Sequence, residues 1–383
     1  MKLYLTLLLL TCMATAAFAQ QQVKADDELL LEYYQSQRFA DAADYLKKTY
    51  PEPVTDSKTL SSLAYTSQMA GRLPEAENYY QRIYEKDSTS IALLFSLGNI
   101  NVRRGNSAKA LVFYKKILLR DSTNFNVYKQ LATLSYNMGD FSSHINYLQK
   151  ANALNPIEPD VATELATIYI NLKVYLRADT VITKALAADT ANMLLLREKA
   201  IIYYRLQKFP QTISLCIKLI QGGDGANDVI NMLGISYFMM KNYQDCISIL
   251  EILEKNKTAS ETSYYYTAMS YKSLKEQEKA ILYFNKAIKE AISVNVDSYY
   301  SEMGDSYDKL HQLKSAVTAY QKSLLYDSKP VITYYMLANL YDSELKNKKV
   351  AIKYYKKYLK VDPPEKQKNY LEYAKKRLNE LAH

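Results

Sequence analysis

Residues 91–124 read IALLFSLGNINVRRGNSAKALVFYKKILLRDSTN, and this stretch contains the pattern that decides the fold. Apolar or small residues recur in two sets, Leu94, Leu97 and Gly98 and then Ala110, Tyr114 and Ile117. Intervals of three and four residues place each set on one face of a helix. The stretch therefore predicts two helices that pack against each other as a hairpin.

The same pattern recurs in rows of 34 residues from residue 57 to residue 294, without insertion or deletion. The seven rows begin at residues 57, 91, 125, 159, 193, 227 and 261. A residue's place is its position within its row, counted from 1. A fixed period of this length is typical of repeat proteins, in which each hairpin is stabilised by its neighbours. The prediction is an all-α array of helical hairpins.

The eighth place of these rows is reserved for a small residue. The residues found there, including one from a ninth row, are Ala64, Gly98, Ala132, Ala166, Ala200, Gly234, Ala268 and Gly304. A larger side chain at a close helix contact would cost about 1–3 kcal/mol by overpacking. We therefore expect the two helix backbones of each hairpin to approach closely at this place.

Less regular segments flank the seven rows. Residues 20–56 predict a divergent first hairpin, and residues 297–364 predict two further rows. The ninth row follows two added residues at 294–296, and the tenth is predicted to carry one extra residue in the loop around Asn347. Pro363 and Pro364 end the array because proline interrupts helices. Residues 365–383 then predict a basic C-terminal capping helix.

The rows resemble the tetratricopeptide pattern. The row from 261 matches it with Tyr264, Ala268, Tyr271, Ala280, Phe284 and Ala287, and the row from 125 supplies the terminal proline, Pro156. The leading Trp of the pattern is replaced throughout, and His144 and Cys246 stand at the small twentieth place. The resemblance implies a right-handed superhelix, an α-solenoid of about ten hairpins. In this family the first helices line a concave groove that binds an extended peptide or a partner helix.

Places 2, 5, 9, 12 and 13 of each row should face this groove. The predicted partner-binding residues are Phe95, Asn99, Arg103, Lys129, Tyr136, Asn137, Asn171, Arg197, Tyr204 and Arg205. Their cations and amides suit the carboxylates of a partner, and their rings suit apolar side chains. The family's carboxylate clamp, with Lys and Asn on one repeat and further Asn, Lys and Arg on the next two, is not reproduced in register. A receptor for chaperone tails is therefore disfavoured.

Residues that could support catalysis or metal binding are sparse. The three histidines, His144, His311 and His383, are far apart and lack the spacing of metal ligands. The sequence has neither a Gly-x-Ser-x-Gly elbow nor a P-loop. The glycine-rich stretch 222–225 falls in the link between two rows and predicts a flexible turn. We predict no enzyme activity, no cofactor and no metal.

The N-terminal residues 1–19 predict a cleaved signal peptide. Lys2 precedes an apolar run, and the segment ends in small residues around Ala19. A membrane anchor and a lipoprotein modified at Cys12 are the alternatives, and no later apolar stretch has the length of a membrane span. We expect an exported chain that is periplasmic or secreted. Cys216 and Cys246 stand at core places, so burial is favoured over a disulfide between them.

The net charge of +9 comes from one segment of the chain. Between Lys346 and Arg377 there are twelve basic and three acidic residues, which accounts for the whole excess. Lysines and tyrosines are interleaved in this segment, a pattern also found in nucleic-acid-binding proteins. The predicted export argues against a nucleic-acid partner. The interpretation adopted is a solvated helix face, with peripheral association at an anionic envelope surface or acidic partner as its functional version.

The sequence thus predicts a non-catalytic scaffold of the bacterial cell envelope that binds a peptide or protein partner in the groove. The alternative is a glycan or cell-wall binding protein whose groove tyrosines stack on sugar rings. Most tyrosines fall at core places of the row, which weakens this alternative.

Overall fold

The computed structural model describes residues 24–291, 295–326, 331–361 and 363–382. The predicted signal peptide, Cys12, Val294 and His383 lie outside these residues. Within the described residues every regular element is helical, so the all-α prediction is confirmed. No described helix is both long enough and apolar enough to cross a membrane. The chain divides into two compact units between Leu165 and Ala166.

The first unit consists of hairpins of consecutive helices. Its helices are α1 (Asp27–Gln35), α2 (Phe39–Thr49), α3 (Ser57–Met69), α4 (Leu73–Lys86), α5 (Ile91–Arg103), α6 (Ser107–Leu118), α7 (Phe125–Asn137) and α8 (Phe141–Leu154). Helix α9 (Pro159–Asn171) contains the division between the units.

The second unit continues the same arrangement. Its helices are α10 (Tyr175–Ala188), α11 (Met193–Arg205), α12 (Phe209–Gln221), α13 (Asn227–Met239), α14 (Tyr243–Lys255), α15 (Glu261–Ser273), α16 (Gln277–Glu290), α17 (Val296–Lys309), α18 (Leu313–Tyr326), α19 (Val331–Asn339), α20 (Lys348–Lys360) and α21 (Lys368–Ala382). A π-helical turn (Leu340–Glu344) follows α19, and a short 3₁₀ turn (Glu365–Gln367) precedes α21.

The helices begin at the same places in each of the seven rows. The first helix starts at place 1 and the second at place 17, as in Ile91 and Ser107. The last place of the preceding row often supplies the N-cap. The Asp56 carboxylate accepts a hydrogen bond from the Thr59 backbone N–H at 2.8 Å, and the Asn124 side chain accepts one from Val127 at 3.2 Å. Such caps satisfy backbone donors that a helix leaves unpaired, so they define where each first helix begins.

The two helices of a hairpin make their closest contact between the eighth and twenty-fourth places. A Cβ atom added to Gly98 would lie 2.5 Å from Cε1 of Tyr114. The same construction at Gly304 meets the Tyr320 ring at 2.7 Å. Tyr114 and Tyr320 are both fully buried, so neither ring has free space to move into. The prediction of a close approach at the eighth place is confirmed.

A left-handed residue ends the first helix of each row, and sequence reasoning missed it. Place 15 has a positive φ, from Gly71 (77°) in the row from 57 to Lys241 (63°) in the row from 227. The backbone N–H of Lys241 donates to the Phe238 carbonyl at 2.8 Å, and the N–H of Asn242 donates to the Tyr237 carbonyl at 2.9 Å. This is the Schellman pattern, which pairs the last carbonyls of the helix. Glycine tolerates this conformation, whereas lysine does so at a cost.

The extra residue of the tenth row does not lie in the loop around Asn347, and that prediction is wrong. It is absorbed one turn earlier, in the π-helical turn Leu340–Glu344. The backbone N–H of Leu345 donates to the Leu340 carbonyl at 3.0 Å, an i to i+5 bond that accommodates one added residue within the helix. Only three residues then separate this turn from α20, as in the other rows.

The terminal helix α21 covers the last hairpin. Ala374 is fully buried, and the Tyr370 and Tyr335 rings lie 4.7 Å apart between centroids. The Arg377 guanidinium holds the nearly buried Asp342 carboxylate through two nitrogens, each at 2.8 Å. This ion pair keeps the pKa of Asp342 below its usual value. Lys375 and Lys376 remain on the exposed side, so α21 presents an apolar face to the hairpin and a basic face to solvent.

We expect Gly98→Val to lower the free energy of unfolding by roughly 1–3 kcal/mol, because the added methyl groups must displace the buried Tyr114 ring. Guanidinium denaturation followed by circular dichroism measures this change. Combining Gly98→Val with Tyr114→Leu should cost less than the sum of the single variants, since leucine vacates the contact. Strict additivity would show that this contact does not limit helix packing.

We expect Lys241→Gly to raise the free energy of unfolding by about 1 kcal/mol, because glycine adopts the left-handed conformation without a Cβ clash. The matched control is Lys184→Gly, an exposed position inside α10, which should lower stability by about 1 kcal/mol. Chemical denaturation of both variants measures the two changes. A loss of stability in Lys241→Gly would contradict the strain inferred at place 15.

Candidate partner-binding surface

The ten predicted partner-binding residues all lie on first helices. The first unit holds Phe95, Asn99, Arg103, Lys129, Tyr136 and Asn137 on α5 and α7, and the second unit holds Asn171, Arg197, Tyr204 and Arg205 on α9 and α11. Their assignment as partner-binding residues stays a prediction. Their contacts do show which of these side chains remain free for a partner.

In the first unit, Lys129 is already paired within the chain. Its Nζ atom lies 2.9 Å from a Glu158 carboxylate oxygen and 3.1 Å from one of Asp160. The hydrogen bond to Glu158 is the main cause that raises the pKa of Lys129. Arg103 is exposed, and its guanidinium makes only a long 3.5 Å contact to the Gln68 carbonyl. Arg103 is thus the cation on this surface that is available to a partner's carboxylate.

In the second unit, Arg197 is also paired within the chain. Its guanidinium lies 2.6 Å from an Asp228 oxygen and 3.3 Å from an Asp224 oxygen. The hydrogen bond to Asp228 is the largest cause that raises the pKa of Arg197. Arg205 is exposed and forms no ion pair with any described residue. Of the four predicted cations, Arg103 and Arg205 are the two that form no ion pair with a described residue.

Two further predicted residues, Phe95 and Asn99, stabilise their own hairpin. The Tyr114 hydroxyl donates to Oδ1 of Asn99 at 2.7 Å. The Phe95 ring meets the Tyr114 ring edge-on, with centroids 5.6 Å apart. Asn137 and Asn171 are exposed at the ends of their helices, so their amides remain accessible.

Aromatic pairs join the twelfth place of a row to its seventeenth. The Tyr136 and Phe141 rings lie 5.8 Å apart, nearly perpendicular to each other, and both are more than half exposed. In the second unit Tyr204 pairs with Phe209 at 6.4 Å, but both rings are partly buried. Sequence reasoning identified the two tyrosines and missed their partners. The sequence signal that could have identified these partners is an aromatic residue five positions after each tyrosine, at the start of the second helix.

The second helices of the first unit form a separate cleft that sequence reasoning did not predict. It has a volume of about 570 Å³ and lies between α4 and α6. The Tyr84 and Phe113 rings meet edge-on at 5.9 Å in its wall, and the Lys116 ammonium donates to the Tyr84 hydroxyl at 2.6 Å. Glu77 is ion-paired with Arg104 across the cleft. These internal pairs leave few free polar groups for a ligand.

Two thiols and one imidazole, groups that often act in catalysis, are protonated or hydrogen-bonded here. Cys216 and Cys246 are fully buried, free thiols, as predicted. Burial raises the pKa of Cys216 to about 12 and that of Cys246 to about 11, so both stay protonated at neutral pH. Buried His144 contacts the Ala132 carbonyl through Nδ1 at 3.0 Å, so this side chain ties its hairpin together at a place usually reserved for a small residue.

The glycine-rich turn 222–225 links the hairpin of α11 and α12 to α13, the first helix of the next row. Gly223 has a φ of 94°, and the Asp224 carboxylate accepts a hydrogen bond from the Ala226 backbone N–H at 3.3 Å. The same carboxylate pairs with Arg197. Among the described residues, no group of three or more His, Cys, Asp or Glu is placed to hold a metal ion.

The chain is similar to known proteins in two ways, through matches to family models and through solved structures with a similar chain trace. Two family models, both described as tetratricopeptide repeat, match residues 262–291 and residues 332–365. No curated protein matches the sequence.

Three solved structures are similar to this chain along much of its length. A tetratricopeptide repeat protein from Parabacteroides merdae is 20% identical, with 65% of this chain and 98% of that chain covered and a TM-score of 0.41. The C-terminal part of a TPR repeat-containing protein from Cytophaga hutchinsonii is 17% identical. The match covers 72% of this chain and 99% of that chain, with a TM-score of 0.45. A chain of the Cut9–Hcn1 hetero-tetramer of APC/C is 16% identical. The match covers 89% of this chain and 74% of that chain, with a TM-score of 0.45. No function is inferred from them.

The matched segments fall on the helical hairpins of the eighth and tenth rows. The same hairpin recurs at the 34-residue period in the rows between residues 57 and 294. The chain therefore contains tetratricopeptide repeats at these two positions, within an array of hairpins that share the same period.

Proposed function

We propose that the chain is a non-catalytic scaffold that binds a protein or peptide partner through the exposed faces of its first helices and the residues that begin the second helices. The observation that carries this proposal is the exposed ring pair of Tyr136 and Phe141. Their side chains are 56% and 60% exposed, although burial would remove a large apolar area from water. Rigid aromatic side chains of this kind are frequent anchors of protein interfaces.

The surroundings of this pair suit a protein ligand. Met138, in the turn between the two rings, is 50% exposed, and its flexible side chain adapts to the shape of a partner. Asn137 on the same helix and Arg103 on α5 add accessible donors. An apolar anchor bordered by unpaired polar groups is the arrangement found at the centre and rim of interfaces.

The second unit offers a related surface at the end of α13. Met239 and the following Met240 are each nearly half exposed. Arg205, at the end of α11, adds an unpaired cation. Each unit thus presents exposed apolar side chains together with one free arginine, which supports contact with an extended or helical partner segment.

We further propose that this scaffold is exported and works at the bacterial cell envelope. The support for export is the N-terminal sequence of Lys2, its apolar run and the small residues near Ala19. The support for peripheral association is the exposed basic side of α20, with Lys353, Lys356 and Lys360. Lysines on one helix side attract anionic surfaces.

A glycan or cell-wall ligand is the alternative occupant of the same surface. Stacking on sugars needs open tyrosine faces, and of the two predicted groove tyrosines only Tyr136 is largely exposed. Tyr204 packs against the core formed by α11, α12 and α13. One largely exposed groove tyrosine favours a protein ligand over a glycan. Binding to a glycan array compares the two directly.

We expect p-benzoylphenylalanine at position 141 to cross-link one defined protein in the native host. The matched control carries the same group at position 119, where Leu119 is 86% exposed on the second-helix side. With the purified partner, Tyr136→Ala combined with Phe141→Ala should weaken binding by about 30-fold, as loss of hot-spot anchors of roughly 2 kcal/mol implies. Isothermal titration calorimetry measures the affinity.

Leu119→Ala should leave that affinity within about twofold, because isolated exposed apolar residues contribute little to binding. Equal cross-linking from positions 141 and 119, or an unchanged affinity in the double variant, would contradict a partner surface at this ring pair. Binding of a glycan that the double variant abolishes would instead support the alternative.

A further inference from the structure

A cleft of about 310 Å³, the ninth-row cleft, lies among α16, α17 and α18 of the second unit. Its inner wall is formed by Tyr300, Met303 and Tyr307 on α17, of which the first two are buried. Lys314 and Lys322 on α18 also line the cleft, and both lysine side chains are exposed. The cleft thus combines an apolar, aromatic wall with two cations.

The two lysines are not neutralised within the chain. In the part of the chain that the structure describes, neither lysine has an ion-pair partner, and the residues that line the cleft include no aspartate or glutamate. The Lys322 ammonium lies 5.3 Å from the centroid of the Tyr300 ring. The Tyr326 ring stacks on Tyr300, with centroids 5.6 Å apart, and holds that ring in place. A contact with a ring face leaves ammonium donors free for a carboxylate.

The cleft between α4 and α6 of the first unit occupies equivalent places but is neutralised internally. Lysine stands at place 26 in both clefts, and in the first unit the Lys116 ammonium donates to the Tyr84 hydroxyl. Glu77 forms an ion pair across that cleft. The residues equivalent to Glu77 and Tyr84 in the eighth row are Ile281 and Ile288, which offer neither a carboxylate nor a hydroxyl. The ninth-row cleft therefore retains its positive charge.

The two clefts also differ in how far they reach inward. The cleft in the first unit is lined by α4, α6 and Arg104, and its place 23 is Phe113, whose ring meets Tyr84 edge-on. In the ninth row the same place is Ala319, which is almost fully buried. With the smaller side chain, the cleft extends to Met303 on the first helix of the row. An apolar side chain of a ligand can therefore reach a buried apolar surface there.

The spacing of the two lysines indicates the form of the ligand. Lys314 and Lys322 are eight residues apart on α18, so their backbone positions are about 12 Å apart at 1.5 Å per residue. In an extended peptide, residues four positions apart are separated by about 13 Å. Alternate residues of such a peptide point to the same side. An acidic, an apolar and a second acidic residue at alternate positions would match the two cations and the apolar wall.

We propose that the ninth-row cleft binds an extended acidic segment of the partner, with the pattern acidic–x–apolar–x–acidic. Lys314 and Lys322 pair with the two carboxylates, and the apolar side chain packs against Met303. Asn285 on α16 adds an exposed amide at the cleft, which can donate to the peptide backbone. The inference rests on the proposed function in that its ligand is a partner peptide, and it adds the charge and spacing of that peptide.

The binding test uses the full chain and three fluorescein-labelled heptapeptides. The glutamate peptide is Gly-Glu-Ser-Leu-Ser-Glu-Gly, the glutamine peptide replaces both glutamates with glutamine, and the serine peptide replaces leucine with serine. Fluorescence anisotropy at low ionic strength measures the affinities. The glutamine peptide should bind about 10-fold more weakly, as loss of two exposed ion pairs implies. The serine peptide should bind about fivefold more weakly because it lacks a side chain that becomes partly buried.

Lys314→Gln combined with Lys322→Gln should make the glutamate and glutamine peptides bind equally, because the charges that distinguish them are gone. The matched control, Lys184→Gln combined with Lys255→Gln, removes two charges from exposed positions on α10 and α14. This control should keep the 10-fold difference between the two peptides. The same anisotropy measurement compares both double variants.

Ala319→Phe should abolish the preference for leucine over serine, because a phenylalanine at place 23 fills the inner part of the cleft. Circular dichroism checks that this variant is folded. If it is not folded, the lysine variants and the three peptides still decide the test.

Three results would overturn the proposal: no binding of the glutamate peptide, equal binding of the glutamine peptide, or equal losses in the two double lysine variants. Tyr136→Ala with Phe141→Ala should not affect these peptides. Cross-linking of a partner from position 141 without binding of the glutamate peptide would reject the cleft alone, so failure of the cleft and failure of the proposed function are distinguishable.

Discussion

The contact between the eighth and twenty-fourth places of a row is the constraint on which the rest of the structure depends. At Gly98 the space that a Cβ atom would need is filled by the Tyr114 ring. Helices of about thirteen residues gain little stability alone, so each must obtain it from the helix it touches. The distance between the two helices of a hairpin then decides whether the remaining apolar places meet.

The same contact connects packing to the polar surface. The Tyr114 ring that fills the space beside Gly98 also places its hydroxyl against Asn99 on the next place of the first helix. In the ninth row Tyr320 occupies the equivalent position, but its buried hydroxyl makes no hydrogen bond, and Lys272 and Lys309 both contact Oδ2 of the neighbouring Asp305. One packing solution thus yields a satisfied hydroxyl in one row and an unsatisfied hydroxyl in another.

Ion pairs between successive rows decide which charges remain for a partner. Lys129, Arg197 and Lys272 each contact carboxylates about thirty residues later in the chain, so their charges are largely neutralised. Arg103 and Arg205 have no such carboxylate among the described residues. The available surface is therefore set by differences between rows, while the core repeats from row to row. This difference is expected when buried contacts between neighbouring repeats supply the stability and residues outside those contacts bind the partner.

The sequence by itself determined the helical hairpins and their period, the small eighth place and the burial of Cys216 and Cys246. These features follow from apolar periodicity, which acts over a few residues and is visible in one row at a time. Only the tertiary structure decided that lysine adopts a left-handed conformation at position 241, that the extra residue of the tenth row forms a π turn, and that Lys129 and Arg197 are paired within the chain. Those outcomes depend on distances between side chains from different rows, and a periodic pattern contains no information about such distances.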